Sequence, residues 1–260
     1  MRLMTLFFLL SFSLIMTSCT QKGSHPDDPY ESLNRKTHKF NMAFDATVVK
    51  PPAKLYKAIL PPQLRSGINN VYDNVNMLPT IANDLLQGDF NYAIKDTWRF
   101  LINSTFGIAG VFDIAASDFS LPPHSNDLGI TLAKWGDKQS PYFVIPFLGP
   151  STFRDGMSII FDYALFTPYP YISSDKVLYS IIGLRYIDLR SQMFETDRLM
   201  GEAIDHYAFM RDAYLQHRHY VITGGEDNNS LRILYIDDDY EDEPDADVKE
   251  NGHQKSQTTG

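Results

Sequence analysis

The chain has a single cysteine, Cys19, and its position limits how the rest can be held together. Arg2 opens with a positive charge. Residues Leu3 to Met16 are almost wholly apolar, interrupted by Thr5, Ser11 and Ser13, and the small residues Thr17 and Ser18 precede the cysteine. A basic start, a short apolar stretch and a small-residue cleavage region form a secretory signal rather than a spanning helix. A cysteine directly after those small residues is the lipobox arrangement: the thiol is acylated, and cleavage leaves Cys19 as the first mature residue. Met16 stands three before it, where Leu is usual, and an ordinary signal peptide that contains a cysteine is the alternative. No other cysteine exists for Cys19 to pair with, which favours acylation. Once Cys19 is acylated no thiol remains. The exported fold then holds by packing alone, in a compartment that would permit disulfides.

The expected divisions are a signal over 1–18, a lipidated tether over 19–27, a body over 28–225 and an acidic, disordered tail over 226–260. The mature length suits one large domain or two small ones, and with 43% hydrophobic residues the chain can bury a sizeable core. After Cys19 nothing approaches the ~18 uninterrupted apolar residues of a spanning helix. Attachment to a membrane therefore rests on acyl chains, at about 0.8 kcal/mol per buried CH₂, helped by any amphipathic surface. The net charge of −9 is unevenly spread: the tail holds 11 acidic and 3 basic residues and accounts for −8, while residues 19–225 carry −2. No basic patch or stripe appears, so no nucleic-acid partner is expected.

Along the body, Tyr30, Leu33, Thr37, Phe40 and Phe44 recur at helical spacing, with Asp28 or Pro29 as the helix start. The segment from Val48 to Pro62 reads as a helix flanked by proline turns. Leu64 to Gly88 reads as helical, kinked or divided by Pro79. Gly88 and Asp89 suit a C-cap and the next N-cap. The helix that follows, to Asn103, puts Phe90, Ala93, Ile94, Thr97, Phe100 and Leu101 on one face. Gly107 and Gly110 allow close backbone approach. An irregular loop from Ser117 to Asp127 contains Pro122 and Pro123. Gly129 to Trp135 alternates weakly, Tyr142 to Phe147 reads as extended, and Ser151 can cap a helix running to Phe166. Asp175 to Thr223 reads as two helices meeting near Gly201, stopped by Gly224–Gly225. The body is thus mainly α, with one small loop and β-hairpin insert near residues 117–147. The aromatic load of 17 Phe, 15 Tyr and 2 Trp fits either a dense core or an interfacial surface.

No active site is legible. The seven histidines show no HExxH pattern and no thiol survives as a ligand, so neither a metal nor a cofactor is expected. No G-x-S-x-G elbow, GxGxxG or P-loop occurs. Asp205–His206 and Asp212 near His217 suit helix-surface pairing.

Several ordered fragments carry a likeness. Asp28-Pro-Tyr-Glu-Ser-Leu-Asn-Arg35 is followed by Phe40-Asn41, then Leu86-Gln-Gly-Asp89 and Arg99-Phe100. Next come Asn103-Ser-Thr-x-Gly107-x-x-Gly110-x-x-Asp113-x-Ala115 and Leu128-Gly-x-Thr-Leu-x-x-Trp-Gly136. Pro141-Tyr142, Pro146-x-x-Gly149-Pro-Ser, Arg154-Asp155 and Tyr207-x-x-x-Arg211-Asp-Ala-Tyr214 complete the series. In order and spacing they resemble the MlaA/VacJ family of outer-membrane phospholipid-transport lipoproteins, over roughly residues 28–225.

The resemblance implies a ring-like bundle of amphipathic helices in the periplasmic leaflet of the outer membrane, enclosing an amphipathic channel. Mislocalised phospholipids would pass through it to a soluble periplasmic carrier, and the ring would associate with a trimeric porin. It also implies a channel or gating role for Phe40, Asn41, Pro122, Pro123, Leu128 and Gly129. The plainer reading makes Phe40 a core residue and Asn41 a helix-surface hydrogen-bonder. Thr20, in place of an Asp after the lipidated cysteine, favours the outer membrane. A non-enzymatic transport lipoprotein is the expectation, with a periplasmic lipid hydrolase or a purely structural lipoprotein as alternatives.

Overall fold

The computed structural model describes Gly23, residues 25–136 and residues 139–224. Cys19, the signal, most of the tether and the acidic tail lie outside the described residues.

The chain enters at Asp28, which the sequence suggested as a helix start. It is instead a buried carboxylate: it accepts from Asn34 Nδ2 at 2.8 Å and from the Tyr207 hydroxyl. Helix α1 (Glu31–Phe44) therefore begins at Tyr30 with no side-chain cap. It does not stop before the prolines. A π-helical turn (Asp45–Val49) carries it into α2 (Lys50–Ile59), with the proline pair in the first turn of α2.

Helix α3 (Pro62–Gln87) is continuous through Pro79, so that residue does not divide it. Side chains of the following turn serve the carbonyls around the proline: Asn83 Nδ2 donates to Pro79 O at 2.9 Å and Thr80 Oγ1 to Asn76 O at 3.0 Å. Gly88, at φ +75°, closes α3, and the Asp89 carboxylate accepts from Tyr92 N to open α4 (Phe90–Thr105). Gly110 sits at φ +90°, where a Cβ would meet Asn74 Cβ at 2.6 Å, so the expected close approach is present.

A short α5 (Ile114–Ser117) leads through the proline-containing loop to α6 (Leu128–Lys134). This segment is a helix, not the extended chain its weak alternation suggested, because Asp127 caps it through Ile130 N at 2.9 Å. Strands β1 (Tyr142–Ile145) and β2 (Gly149–Thr152) form the one small antiparallel hairpin among the described residues, with Tyr142 opposite Thr152. Thr152, one residue beyond the expected Ser151, caps α7 (Phe153–Phe166). The C-terminal region has three helices rather than two: α8 (Asp175–Gln192), α9 (Phe194–Glu202) and α10 (His206–Thr223), with the last capped by Asp205 and closed by Gly224 at φ +67°.

The packing order closes on itself. Helix α1 touches β1, β1 pairs with β2, and β2 meets α7 and α10. Helices α7 and α6 pack on α3, α3 on α8, α8 on α2, and α2 continues from α1. The expected ring-like, mainly α bundle is the observed architecture.

Its interior is the reverse of a water-soluble protein's. Among the described residues 22 polar or charged side chains are buried against 13 hydrophobic ones. No phenylalanine or tryptophan is buried among them; Trp98 and Trp135 are both more than half exposed. In water each exposed large apolar side chain forgoes roughly 1.5–3 kcal/mol, and contiguous patches of this kind mark contact with an apolar partner or phase. The tyrosines divide differently. Tyr56 and Tyr72 are buried, with hydroxyls donating to Asp188 Oδ1 at 2.9 Å and Ile181 O at 2.6 Å. Of the described residues, no helix is long and apolar enough to cross a membrane.

Candidate functional site: a polar cavity behind inverted helices

Helices α3 and α4 explain how the inversion arises. On α4, Ala93, Asp96, Arg99, Ile102 and Asn103 face inward at helical spacing, while Phe90, Ile94, Trp98 and Leu101 face out. Of the face anticipated from the sequence, Phe90, Ile94, Thr97 and Leu101 lie on the outside of the molecule, whereas Ala93 belongs to the inward stripe. On α3 the inward stripe is Asn69, Asp73, Asn76 and Thr80, at steps of four, three and four.

That stripe lines a cavity of about 540 Å³, closed by Arg99 and Asn103 from α4, by Pro123 and His124 from the loop, and by Arg185 from α8. Both arginines are neutralised in place. Arg99 Nη2 donates to Asp113 Oδ2 at 2.7 Å, and its Nη1 donates to Leu121 O, fastening the loop. Arg185 donates to Asn69 Oδ1 at 2.7 Å and to Asp73 Oδ1 at 3.0 Å, above the Tyr72 ring. Burial alone would raise the Asp113 carboxyl, but bonds from Arg99 and Asn103 hold it below its ordinary value. The wall thus carries both signs of charge. It also holds two unused valences: Asn74 Oδ1 and Arg99 Nε are buried without a hydrogen-bond partner.

At one end of the cavity the loop is tied down by side chains. Asn126 Nδ2 donates to Asp84 Oδ1 at 2.7 Å, and Gln87 Nε2 donates to Asn126 Oδ1 at 2.9 Å. His124 Nδ1 lies 2.6 Å from Asp96 Oδ2, and its ring stacks on Tyr92 at 4.4 Å. Burial pushes the Asp84 carboxyl up to about 6, with Asn126 opposing, and Asp96 raises His124. Arg218 of α10 grips Asp127 Oδ2 at 2.7 Å and Asp155 Oδ1 at 2.8 Å. Burial opposes ionisation of Asp155, yet Arg218 and the Tyr214 hydroxyl hold its carboxyl low.

The sequence-derived residues fall into two separate groups. Pro123 lines the cavity; Pro122 is exposed on the same loop and does not. Leu128 and Gly129 begin α6 beneath the loop. Leu128 N donates to Asp162 Oδ2 at 3.0 Å, and a Cβ on Gly129 would come within 2.4 Å of Asp155 Oδ1, so no side chain fits there. Phe40 and Asn41 sit elsewhere. Asn41 Nδ2 donates to Ile145 O at 2.9 Å and its Oδ1 accepts from Phe147 N at 2.8 Å, stapling the hairpin turn to α1. Phe40 packs edge-on against Phe147 at 5.2 Å but is 48% exposed, so it is not the core residue the plainer reading made it. Cys19 lies outside the described residues. The sequence reading missed the α3 polar stripe, although Asn69, Asp73, Asn76 and Thr80 were legible at helical spacing beside the apolar one.

An apolar exterior around a polar, charge-balanced cavity defines a helical protein suited to an apolar surrounding. The sequence matches the family model described as MlaA lipoprotein over residues 26–221, and the chain belongs to that family. An uncharacterized protein of Rickettsia bellii is 33% identical over 192 residues, 74% of this chain and 75% of that one. The intermembrane phospholipid transport system lipoprotein MlaA of Shigella flexneri is 30% identical over 220 residues, 82% of this chain and 86% of its own. A solved structure, described as the structural basis for maintenance of bacterial outer membrane lipid asymmetry, superposes with a TM-score of 0.67. It is 28% identical and covers 75% of this chain and 98% of that one.

Proposed function

We propose that this chain is a non-enzymatic lipoprotein of the outer membrane, anchored through acylated Cys19, that removes mislocalised phospholipids from the outer leaflet. The exposed apolar side chains of α3, α4 and α7 rest in the hydrocarbon of the periplasmic leaflet, and the ring shields a polar route for the headgroup. A charged group moved unaided through a bilayer centre meets a barrier of several kcal/mol or more. A cavity wall lined with Arg99, Arg185, Asp73 and Asp113 replaces part of the lost hydration while tails stay in lipid. Direction comes from a soluble periplasmic carrier that takes the lipid, and a trimeric porin holds the ring in place. The supporting observation is the inversion itself: polar stripes face a cavity and apolar stripes face out, within the same helices.

Phe40 and Asn41 act on this route through the hairpin turn they clamp, and Pro122, Pro123, Leu128 and Gly129 through the loop at the cavity. The hydrolase alternative lacks support. Among the described residues, His124 meets two carboxylates and no hydroxyl nucleophile.

The test is purification from native membranes followed by lipid extraction and photo-crosslinking from the positions of Asn76 and Asn103. Phospholipid crosslinked at both sites, without lipid turnover, is the expected result. Protein that carries and crosslinks no phospholipid would sink the reading. For the anchor, Cys19→Ala should abolish acylation and outer-membrane fractionation; unchanged fractionation would show that Cys19 is not the attachment.

A further inference from the structure

Asp84 and Asp96 are 0% and 1% exposed, yet no lysine or arginine pairs with either among the described residues. Two buried carboxylates with one imidazole between them are an expensive arrangement unless a cation completes it. The parts come from three segments, α3, α4 and the loop. His124 Nδ1 stands 2.6 Å from Asp96 Oδ2 and 3.9 Å from Asp84 Oδ2. One donor atom from each residue lies within 4.8 Å of the others. A second observation points into the same space: Asp84 Oδ2 is buried and has no hydrogen-bond partner, while its Oδ1 is satisfied by Asn126.

We propose that Asp84, Asp96 and His124 form a binding site for a divalent transition-metal ion, with zinc the best fit. One imidazole nitrogen and two carboxylate oxygens are donors suited to that class, and zinc holds them at about 2.0–2.2 Å. Donors around a tetrahedral ion then stand ~3.3 Å apart, between the two separations observed here. The charges also close: a doubly positive ion cancels both carboxylates with the imidazole neutral. Supporting contacts are in place, since Asn126 orients Asp84 and Tyr92 stacks on the His124 ring at 4.4 Å. His124 also lines the polar cavity, so a remaining coordination position opens toward it. The ion would tie the proline loop to α3 and α4. This inference does not depend on the lipid-transport reading.

The experiment uses the full chain in detergent, stripped with chelator, titrated with zinc chloride by calorimetry at pH 7, with thermal unfolding followed in parallel. One saturable site of micromolar or tighter affinity and a raised Tm are expected. Asp84→Asn keeps the shape and the Asn126 contact while removing a buried charge, and His124→Gln is a second, independent variant. Each should weaken zinc binding at least tenfold with the fold retained by circular dichroism. Absence of saturable binding would overturn the site and leave a shared proton between these groups. Equal affinity in both variants would place the binding elsewhere, and tighter binding of magnesium or calcium than of zinc would overturn the donor assignment.

Discussion

Two parts of the molecule are built on opposite rules. Where α1, the hairpin and α10 meet, Tyr142, Val144 and Tyr207 form an apolar cluster with Tyr214 and Leu215 packed against it, as in a water-soluble domain. Along α4 and α7 the buried side chains are mostly polar and the exposed large ones mostly apolar, and α3 turns a polar stripe toward the cavity. The corner gains stability by hiding greasy surface. The wall gains it by satisfying polar groups against one another and leaving greasy surface to its surroundings. One chain can do both only if the wall does not face bulk water.

The contrast breaks most visibly at the corner. Tyr207 packs edge-on against His38 at 5.6 Å and Tyr142 at 6.3 Å, lies under Arg35 at 4.4 Å, and donates to buried Asp28. Tyr207→Ala should cost about 3–5 kcal/mol, the usual range for emptying an aromatic site. Thermal or denaturant unfolding in detergent measures it, and a loss below about 1 kcal/mol would mean that the corner is not the core.

In the wall the sense of a substitution is reversed. Asp162 of α7 accepts from Asn83 Nδ2, Leu128 N and Ser158 Oγ, each at 3.0 Å. Asp162→Leu, which would pass as hydrophobic filling in an ordinary core, orphans three buried donors at about 1–3 kcal/mol each before relaxation. A stability loss of at least about 2 kcal/mol is expected. Tolerance of leucine would show that polar pairing does not hold this side together.

How much of this was legible follows from what the signals report. Helical periodicity reveals which residues share a face, and it located α1, α4 and the caps at Gly88, Asp89 and Gly224. It does not reveal which face is buried. Phe90, Ile94 and Leu101 were grouped correctly and lie outside, because burial depends on the surrounding phase as well as on the chain. The division expected at Pro79 does not occur, because a proline inside a helix gives up a single hydrogen bond, to Val75 O, and α3 runs on through that loss. The Asp84, Asp96 and His124 cluster had no readable spacing, its members being separated in sequence and joined only by the loop's return over α3 and α4. Asp28 looked like a helix start because Asp often is one, and nothing local announced a tyrosine from α10.

Acid separates Asp84 from the paired carboxylates of both regions by the direction of its response. Asp205, whose Arg35 partner holds it at about 2, is a clasp of the corner, and Asp113 and Asp155 are also held low. A carboxyl lowered by folding stabilises fully above its unfolded value near 4, and that contribution is lost as pH falls through the folded value. Asp84 runs the other way: with its folded value raised to about 6, the fold takes up a proton that the unfolded chain does not, so stability rises as pH falls from about 6 toward 4. In chelator, Tm should therefore climb slightly between pH 7 and about 4.5 and fall steeply below 4. His124, raised by Asp96, adds to the climb in the same sense, so Asp84→Asn should reduce the climb and spare the fall, and an undiminished climb would assign the effect to other groups.

The smallest effect is the most diagnostic. Ile160 lies two residues before Asp162 on α7 and is 61% exposed, while Ser158 and Asp162 on the same helix are buried. Ile160→Gln removes no internal contact of consequence, so unfolding in detergent should shift by no more than ~0.5 kcal/mol. The same change deletes apolar surface that a bilayer would otherwise bury, worth roughly 1.5–3 kcal/mol for a side chain of this size, and adds an amide that hydrocarbon rejects. With Cys19→Ala in the same chain to remove the acyl contribution, partition into phospholipid vesicles should fall about tenfold or more, each 1.4 kcal/mol being a factor of ten. Had this helix packed its isoleucines inward, glutamine would unfold the protein and leave partition of the survivors unchanged. The opposite pair of results is what an outward-facing wall requires, because only there does one side chain matter to the membrane and not to the fold.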